Sequence, residues 1–300
     1  MTVSHPTGLT DTPAGLGVTA GTGRTGLGAA ALLAGLIGVS GVAWAGLMRQ
    51  ARVTGELIEA AAMAAGASDG TLPEGAEFAW QAVPPSGDGV YLPDGRGPLA
   101  DVPDAVVLSM LGDSTAVGYG CTTADEVPGV VLARGVAAAL DRPARVITRG
   151  VVGSGAADLA RQITAALPDR PDVVVIVVGA NDVRDRIPPH RSAQRLGQAV
   201  AAVHAQGVPV VVGTCPDLGV ITPIPQPLRA VVKSWSRTLA SLQERAVRSA
   251  GGVPVAIGRL VSPDFYGRPD LFYADGFHPS GPGYARAVAA LLPEVVAALR

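Results

Sequence analysis

The sequence predicts an α/β fold: a three-layer α/β/α sandwich with a mostly parallel, flavodoxin-like five-stranded sheet, preceded by an N-terminal hydrophobic segment. Two observations carry this. After residue 104, short β-branched apolar runs alternate with helix-period segments, and Gly or Pro marks many of the junctions. The runs also lack the apolar/polar alternation of a half-exposed strand, so they suit strands covered by helices on both faces, with right-handed crossovers and a default order of 2-1-3-4-5.

Residues 1–24 are rich in Gly, Thr and Pro and carry no apolar period, which predicts a disordered tail. Gly21, Gly23 and Gly26 match the spacing of a dinucleotide-binding turn, but no strand precedes them and no acidic residue follows about twenty positions later, so that reading is set aside. Residues 25–48 hold no charge and are long enough to cross a bilayer, which predicts a transmembrane anchor or a signal peptide. Its glycines, Gly35, Gly38 and Gly41, would weaken a helix in water. Residues 49–104 read as a helix followed by a Gly/Pro-rich linker, within which Phe78, Trp80 and Tyr91 suggest partial packing on the domain. A single α/β domain is expected over 105–300. Its strands are read at 105–111, 144–148, 172–178, 208–213 and 254–257, and its helices at 127–140, 156–167, 191–206, 227–251 and 281–299.

Three hundred residues with 48% hydrophobic content are ample for one large core. A net charge of -2 and a single lysine, Lys233, leave no clustered cation surface for nucleic acid. Cys121 and Cys215 lack zinc-ligand spacing and read as small buried residues, with one bridge left open for an exported domain.

Candidate chemistry collects where strands end. Gly112-Asp113-Ser114 closes the first apolar run, at the sheet edge where parallel sheets place catalytic groups; Ser114 is there a candidate nucleophile or, more plainly, a helix N-cap. Gly150, Gly153 and Gly155 follow the second strand, in a loop able to present backbone N–H groups. Asn181, in Gly179-Ala180-Asn181-Asp182, is the only asparagine in the chain, and its amide can donate to a developing oxyanion without titrating. Of four histidines, His278 alone has a carboxylate three residues earlier: Asp275 can hold Nδ1–H while Nε2 faces a serine hydroxyl. A metal site there lacks a second His or Cys ligand nearby, so no metal or other cofactor is expected. Phe265, Tyr266, Phe272, Tyr273 and Phe277 crowd the same loop in a chain with 4% aromatics; Phe272, Tyr273 and Phe277 are candidates for a substrate pocket, against an anchoring role in the core.

These four blocks, Gly112-Asp113-Ser114, Gly153, Gly179-Ala180-Asn181-Asp182 and Asp275-Gly276-Phe277-His278, taken in order, resemble the SGNH or GDSL-type hydrolase family from about residue 106 onward. Thr115 stands where the GDSL name has leucine. The resemblance implies a serine esterase or lipase-like hydrolase with Ser114 as nucleophile, His278 as base and Asp275 orienting it. It also implies an oxyanion hole from the N–H groups of Ser114 and Gly153 and the side chain of Asn181. A lipid, glycan or small acyl ester is the expected substrate of a monomeric catalytic domain, membrane-anchored or secreted and extracytoplasmic. The same acyl-enzyme could serve an acyltransferase, and a tethered binding domain is the non-catalytic alternative.

Overall fold

The structure, a computed structural model, describes residues 42–61 and 86–300. The expected tail, residues 25–41 of the apolar span expected over 25–48, and Phe78 and Trp80 of the linker lie outside them. Residues 42–61 form helix α1; Leu47 and Ala51 rest against the core, and Thr54 is buried. Among the described residues, no helix is long and apolar enough to cross a membrane.

The first strand, β1 (Gly89–Tyr91), arises inside the expected linker. β2 (Val106–Gly112) follows, then a single turn α2 (Ser114–Val117), α3 (Pro128–Leu140), β3 (Ala144–Thr148), α4 (Leu159–Ala166) and β4 (Val173–Val177). The chain continues through α5 (Ala180–Arg184), α6 (Pro189–His204), β5 (Val210–Gly213), α7 (Leu228–Ser249), β6 (Val253–Val255), α8 (Ile257–Leu260) and α9 (Gly281–Ala298). The sheet order is β1-β3-β2-β4-β5-β6, with every pair parallel except β1 on β3. The five parallel strands thus run 2-1-3-4-5, as expected. β1 adds a sixth, antiparallel edge strand, and Tyr91 anchors it: the ring is fully buried under the Arg134 guanidinium, and its hydroxyl donates to the Gly87 carbonyl at 2.7 Å.

Both faces of the sheet are covered, and β4 shows why its sequence is a continuous VVVIV. Val173 and Val175 join the core with Leu132, Val136, Tyr284 and Leu291 of α3 and α9. Val174 and Ile176 point the other way, into Leu159, Ile163, Leu196 and Val247 of α4, α6 and α7. Successive side chains of β4 alternate between two apolar layers, so each of its positions is apolar. At roughly 1.5–3 kcal/mol per buried large aliphatic, this double burial is the main source of stability. Both cysteines are buried and free.

Candidate active site

β2 delivers the first candidate side chain through a glycine. Gly112 has φ +132, and a Cβ there would lie 1.9 Å from the Val177 carbonyl oxygen, so β4 can approach this peptide only because the side chain is absent. Asp113 follows and donates its N–H to the same carbonyl. Its carboxylate accepts the Thr115 N–H at 2.9 Å. Asp113 is therefore the N-cap of α2, and Ser114, read from sequence as a possible cap, occupies the first helical position instead. A residue there has no carbonyl one turn back to receive its N–H.

The loop before α9 delivers the next two. It is closed at its base by a Phe272–Pro279 bridge and by the Tyr273 N–H on the His278 carbonyl at 2.8 Å. Inside it, one oxygen of Asp275 accepts the N–H groups of Phe277 and His278, at 2.8 and 2.9 Å. The other lies 2.6 Å from His278 Nδ1, and His278 Nε2 lies 3.0 Å from Ser114 Oγ. Asp275 is 3% exposed and Ser114 6%, so the three groups meet largely out of water. The Tyr119 ring lies 4.3 Å from the imidazole and Phe277 5.0 Å away on edge, which fixes the ring plane. Burial, aided by the Asp275 charge, pushes the Tyr119 phenol up to about 12, so it stays neutral.

The glycine loop after β3 and the Asn181 turn are tied together. Val151 donates to the Gly112 carbonyl, and Ser154 N–H closes a turn on the Val151 carbonyl. Gly153 is the third residue of that turn with φ +83, a value such turns reserve for glycine. Of the three candidate glycines in this loop, Gly153 is the one with a positive φ. Asn181, 6% exposed on the short α5, donates its side-chain amide to the Ser154 carbonyl at 2.9 Å. Asp182 beside it accepts the Ala156 N–H, and burial raises its carboxyl above the usual range.

Electrostatically the least expected group is Asp113. Burial raises its carboxyl to about 6, although the Thr115 bonds and the nearby His278 pull the other way. Ser114 and His278 open on a cavity of about 90 Å³ walled by apolar side chains, among them Phe272, Phe277, Leu218, Ile221, Phe265 and Leu291. Tyr273, expected with Phe272 and Phe277, is not among the lining residues: its ring packs edge-on against Tyr119 at 6.1 Å. Among the described residues no three His, Cys, Asp or Glu side chains gather in a metal-binding cluster.

Sequence reasoning missed the cap at Asp113, the ring contact of Tyr119, and Gln162, a buried polar side chain on α4. For Gln162 a signal existed: it sits in the apolar stripe Leu159, Gln162, Ile163, Ala166, at a helical spacing that otherwise faces the core.

A strand-end serine meets a loop histidine and its buried carboxylate at the carboxyl edge of a parallel sheet, a geometry compatible with a serine hydrolase, and the family is shown by comparison. Residues 110–286 match the model of the GDSL-like Lipase/Acylhydrolase family. The chain is 47% identical over 212 residues to the GDSL-like esterase Rv1075c of Mycobacterium tuberculosis, covering 68% of this chain and 67% of that protein. Among solved structures, a lipase/acylhydrolase from Enterococcus faecalis superposes with a TM-score of 0.52 at 23% identity, over 65% of this chain and 97% of that one. TesA superposes at 0.53 and 20% identity, over 64% and 99%. The chain belongs to the GDSL-like lipase/acylhydrolase family and is a hydrolase of ester bonds.

Proposed function

We propose that Ser114, His278 and Asp275 form the catalytic triad of a carboxylic-ester hydrolase that works through an acyl-serine. The observation that carries this reading is the unbroken line from Asp275 Oδ2 through the imidazole to Ser114 Oγ, with steps of 2.6 and 3.0 Å. Asp275 holds the proton on Nδ1, leaving Nε2 as an acceptor. Ser114 Oγ attacks the ester carbonyl carbon as its proton passes to Nε2. The imidazolium returns that proton to the departing alcohol oxygen, and the acyl group stays on Ser114. Water then gives its proton to Nε2 and attacks the acyl-enzyme, freeing the acid and restoring the serine hydroxyl.

The negative oxygen of each tetrahedral intermediate is received by the N–H groups of Ser114 and Gly153 and by the Asn181 amide, which carries a second N–H beyond the one given to Ser154. The acyl part enters the apolar cavity past Phe272 and Phe277. This favours an acyl chain over a charged or sugar-like acid, since an apolar wall offers such groups no partners. The uncharged stretch over 25–48 supports a protein anchored in or sent across a membrane, with the catalytic domain outside the cytoplasm; a topology reporter fused after Arg300 tests the side.

The test of function is a series of chromogenic esters of increasing acyl length, run on the wild type and on Ser114→Ala. Turnover that depends on Ser114 is expected. Equal rates for the two proteins would remove Ser114 from the reaction.

A further inference from the structure

Two fully internal glutamines sit at the carboxyl edge of the sheet, where the strands splay to make room for the site. Gln162 is 3% exposed and Gln243 0%. Each uses both its amide oxygen and its amide nitrogen on backbone groups, as a peptide unit would. Gln243 accepts the Cys215 N–H at 2.7 Å and donates to the Val178 carbonyl at 3.2 Å, bridging the ends of β4 and β5. Gln162 accepts the Gly112 N–H at 2.7 Å and donates to the Gly112 carbonyl at 2.9 Å.

The reason a surrogate is needed at Gly112 lies in the ladder. β2 and β3 pair in register up to Met110 opposite Thr148. Beyond that point the chain turns away, and both Arg149 and Gly150 donate to the Met110 carbonyl. On that side the Gly112 N–H, two residues before Ser114, has left the strand pairing. A buried N–H without a partner is costly, and a side-chain amide carries the same donor and acceptor as a peptide. Gln162 also reaches further than a strand could: its amide nitrogen lies 3.3 Å from Ser154 Oγ. Ser154 is the residue after Gly153, and its carbonyl takes the Asn181 amide. One side chain therefore joins the peptide that leads to Ser114 with the loop that carries Gly153.

We infer that Gln162 is a positioning residue that sets the spacing between the Ser114 and Gly153 N–H groups. The inference rests on the reading of those groups as the oxyanion hole. Gln162 touches no substrate; it acts through Gly112 and Ser154. Loss of such support displaces donors by fractions of an ångström, which affects the tetrahedral state more than the ground state.

The test compares the wild type with Gln162→Leu, Gln162→Glu and Ser154→Ala, with folding followed by thermal denaturation. For Gln162→Leu, kcat is expected to fall roughly 10- to 100-fold with KM nearly unchanged. The inhibition constant of an alkyl boronic acid, which forms a tetrahedral adduct on serine, should rise in parallel. A merely structural role would lower the melting temperature without that linked change. Gln162→Glu keeps the acceptor for Gly112 N–H but, with its carboxylate ionised, sets an oxygen against the Gly112 carbonyl where the amide nitrogen donates, so its kcat should fall at least as far as that of the Leu variant. If the Leu variant does not fold, Ser154→Ala, which cuts only the link to the loop, should still lower kcat several-fold with boronate binding. A folded Gln162→Leu, or failing that Ser154→Ala, with wild-type kcat and boronate affinity overturns the inference while leaving a Ser114-dependent esterase intact. Ser114→Ala turning over ester at the wild-type rate overturns both.

Discussion

Asp275 grips His278 twice: one carboxylate oxygen accepts the His278 backbone N–H at 2.9 Å, and the other lies 2.6 Å from its Nδ1. Backbone and side chain of the histidine are thus held by one buried group three residues away, in a loop whose base is closed by the Phe272–Pro279 bridge. Position and tautomer have a common cause.

Asp275→Asn separates the two. The amide oxygen keeps the Phe277 and His278 N–H groups, so the loop should retain its shape and the melting temperature should stay near the wild type. The NH₂ group then faces Nδ1, drives the ring proton to Nε2, and removes the acceptor for Ser114. A loss of roughly 10³- to 10⁴-fold in kcat is expected, measured on a chromogenic ester.

Asn181→Ala should lower kcat by roughly 100- to 1000-fold with little change in KM, because an oxyanion donor acts mainly in the transition state. It also releases the Ser154 carbonyl, a stability cost of about 1 kcal/mol that chemical denaturation can read.

Asp113 gives stability a pH dependence of unusual sign. In the folded protein its carboxyl holds a proton up to about 6, whereas in the unfolded chain it releases it near the ordinary aspartate value of about 3.9. Between those values the native state binds more protons, so raising the pH through this window removes stability, of order 3 kcal/mol in total, and above about 6 the effect is flat. Asp113→Asn can still cap α2 but does not ionise. Its stability advantage over the wild type should therefore grow from pH 4 to 6.5; parallel urea-denaturation curves across that range would contradict the account.

The two thiols should be silent. Burial raises Cys121 to about 12 and Cys215 well above its ordinary value, and both side chains are enclosed. A thiol reagent should label neither in the native protein at pH 8 and both after denaturation.

Much of this could be read from the residues alone, for physical reasons. The parallel strands were legible because VVVIV and VVVG are buried on two faces and wholly apolar, and β2 is apolar but for Ser109. Ser114, Asn181 and His278 stood out because they are polar residues at strand ends or in a terminal loop of an otherwise Ala-, Gly- and Val-rich chain. β1 was not legible: three residues, Gly89–Tyr91, in a Gly/Pro-rich stretch have no period, and their place is set by pairing with β3 and the burial of Tyr91. The one-turn helices α2 and α5 are too short for periodicity, so the sequence does not distinguish Ser114 from Asp113 as the cap of α2. Crowding in sequence says nothing about direction: the Tyr273 ring packs on Tyr119, while Phe272 and Phe277 line the cavity.

The central claim is that Ser114 carries the acyl group. Its most direct test is intact-protein and peptide mass spectrometry after brief exposure to a slowly released ester or a fluorophosphonate. One adduct on the peptide containing Ser114 is expected, absent in Ser114→Ala along with turnover. An adduct on another residue, or full turnover by Ser114→Ala, would contradict it.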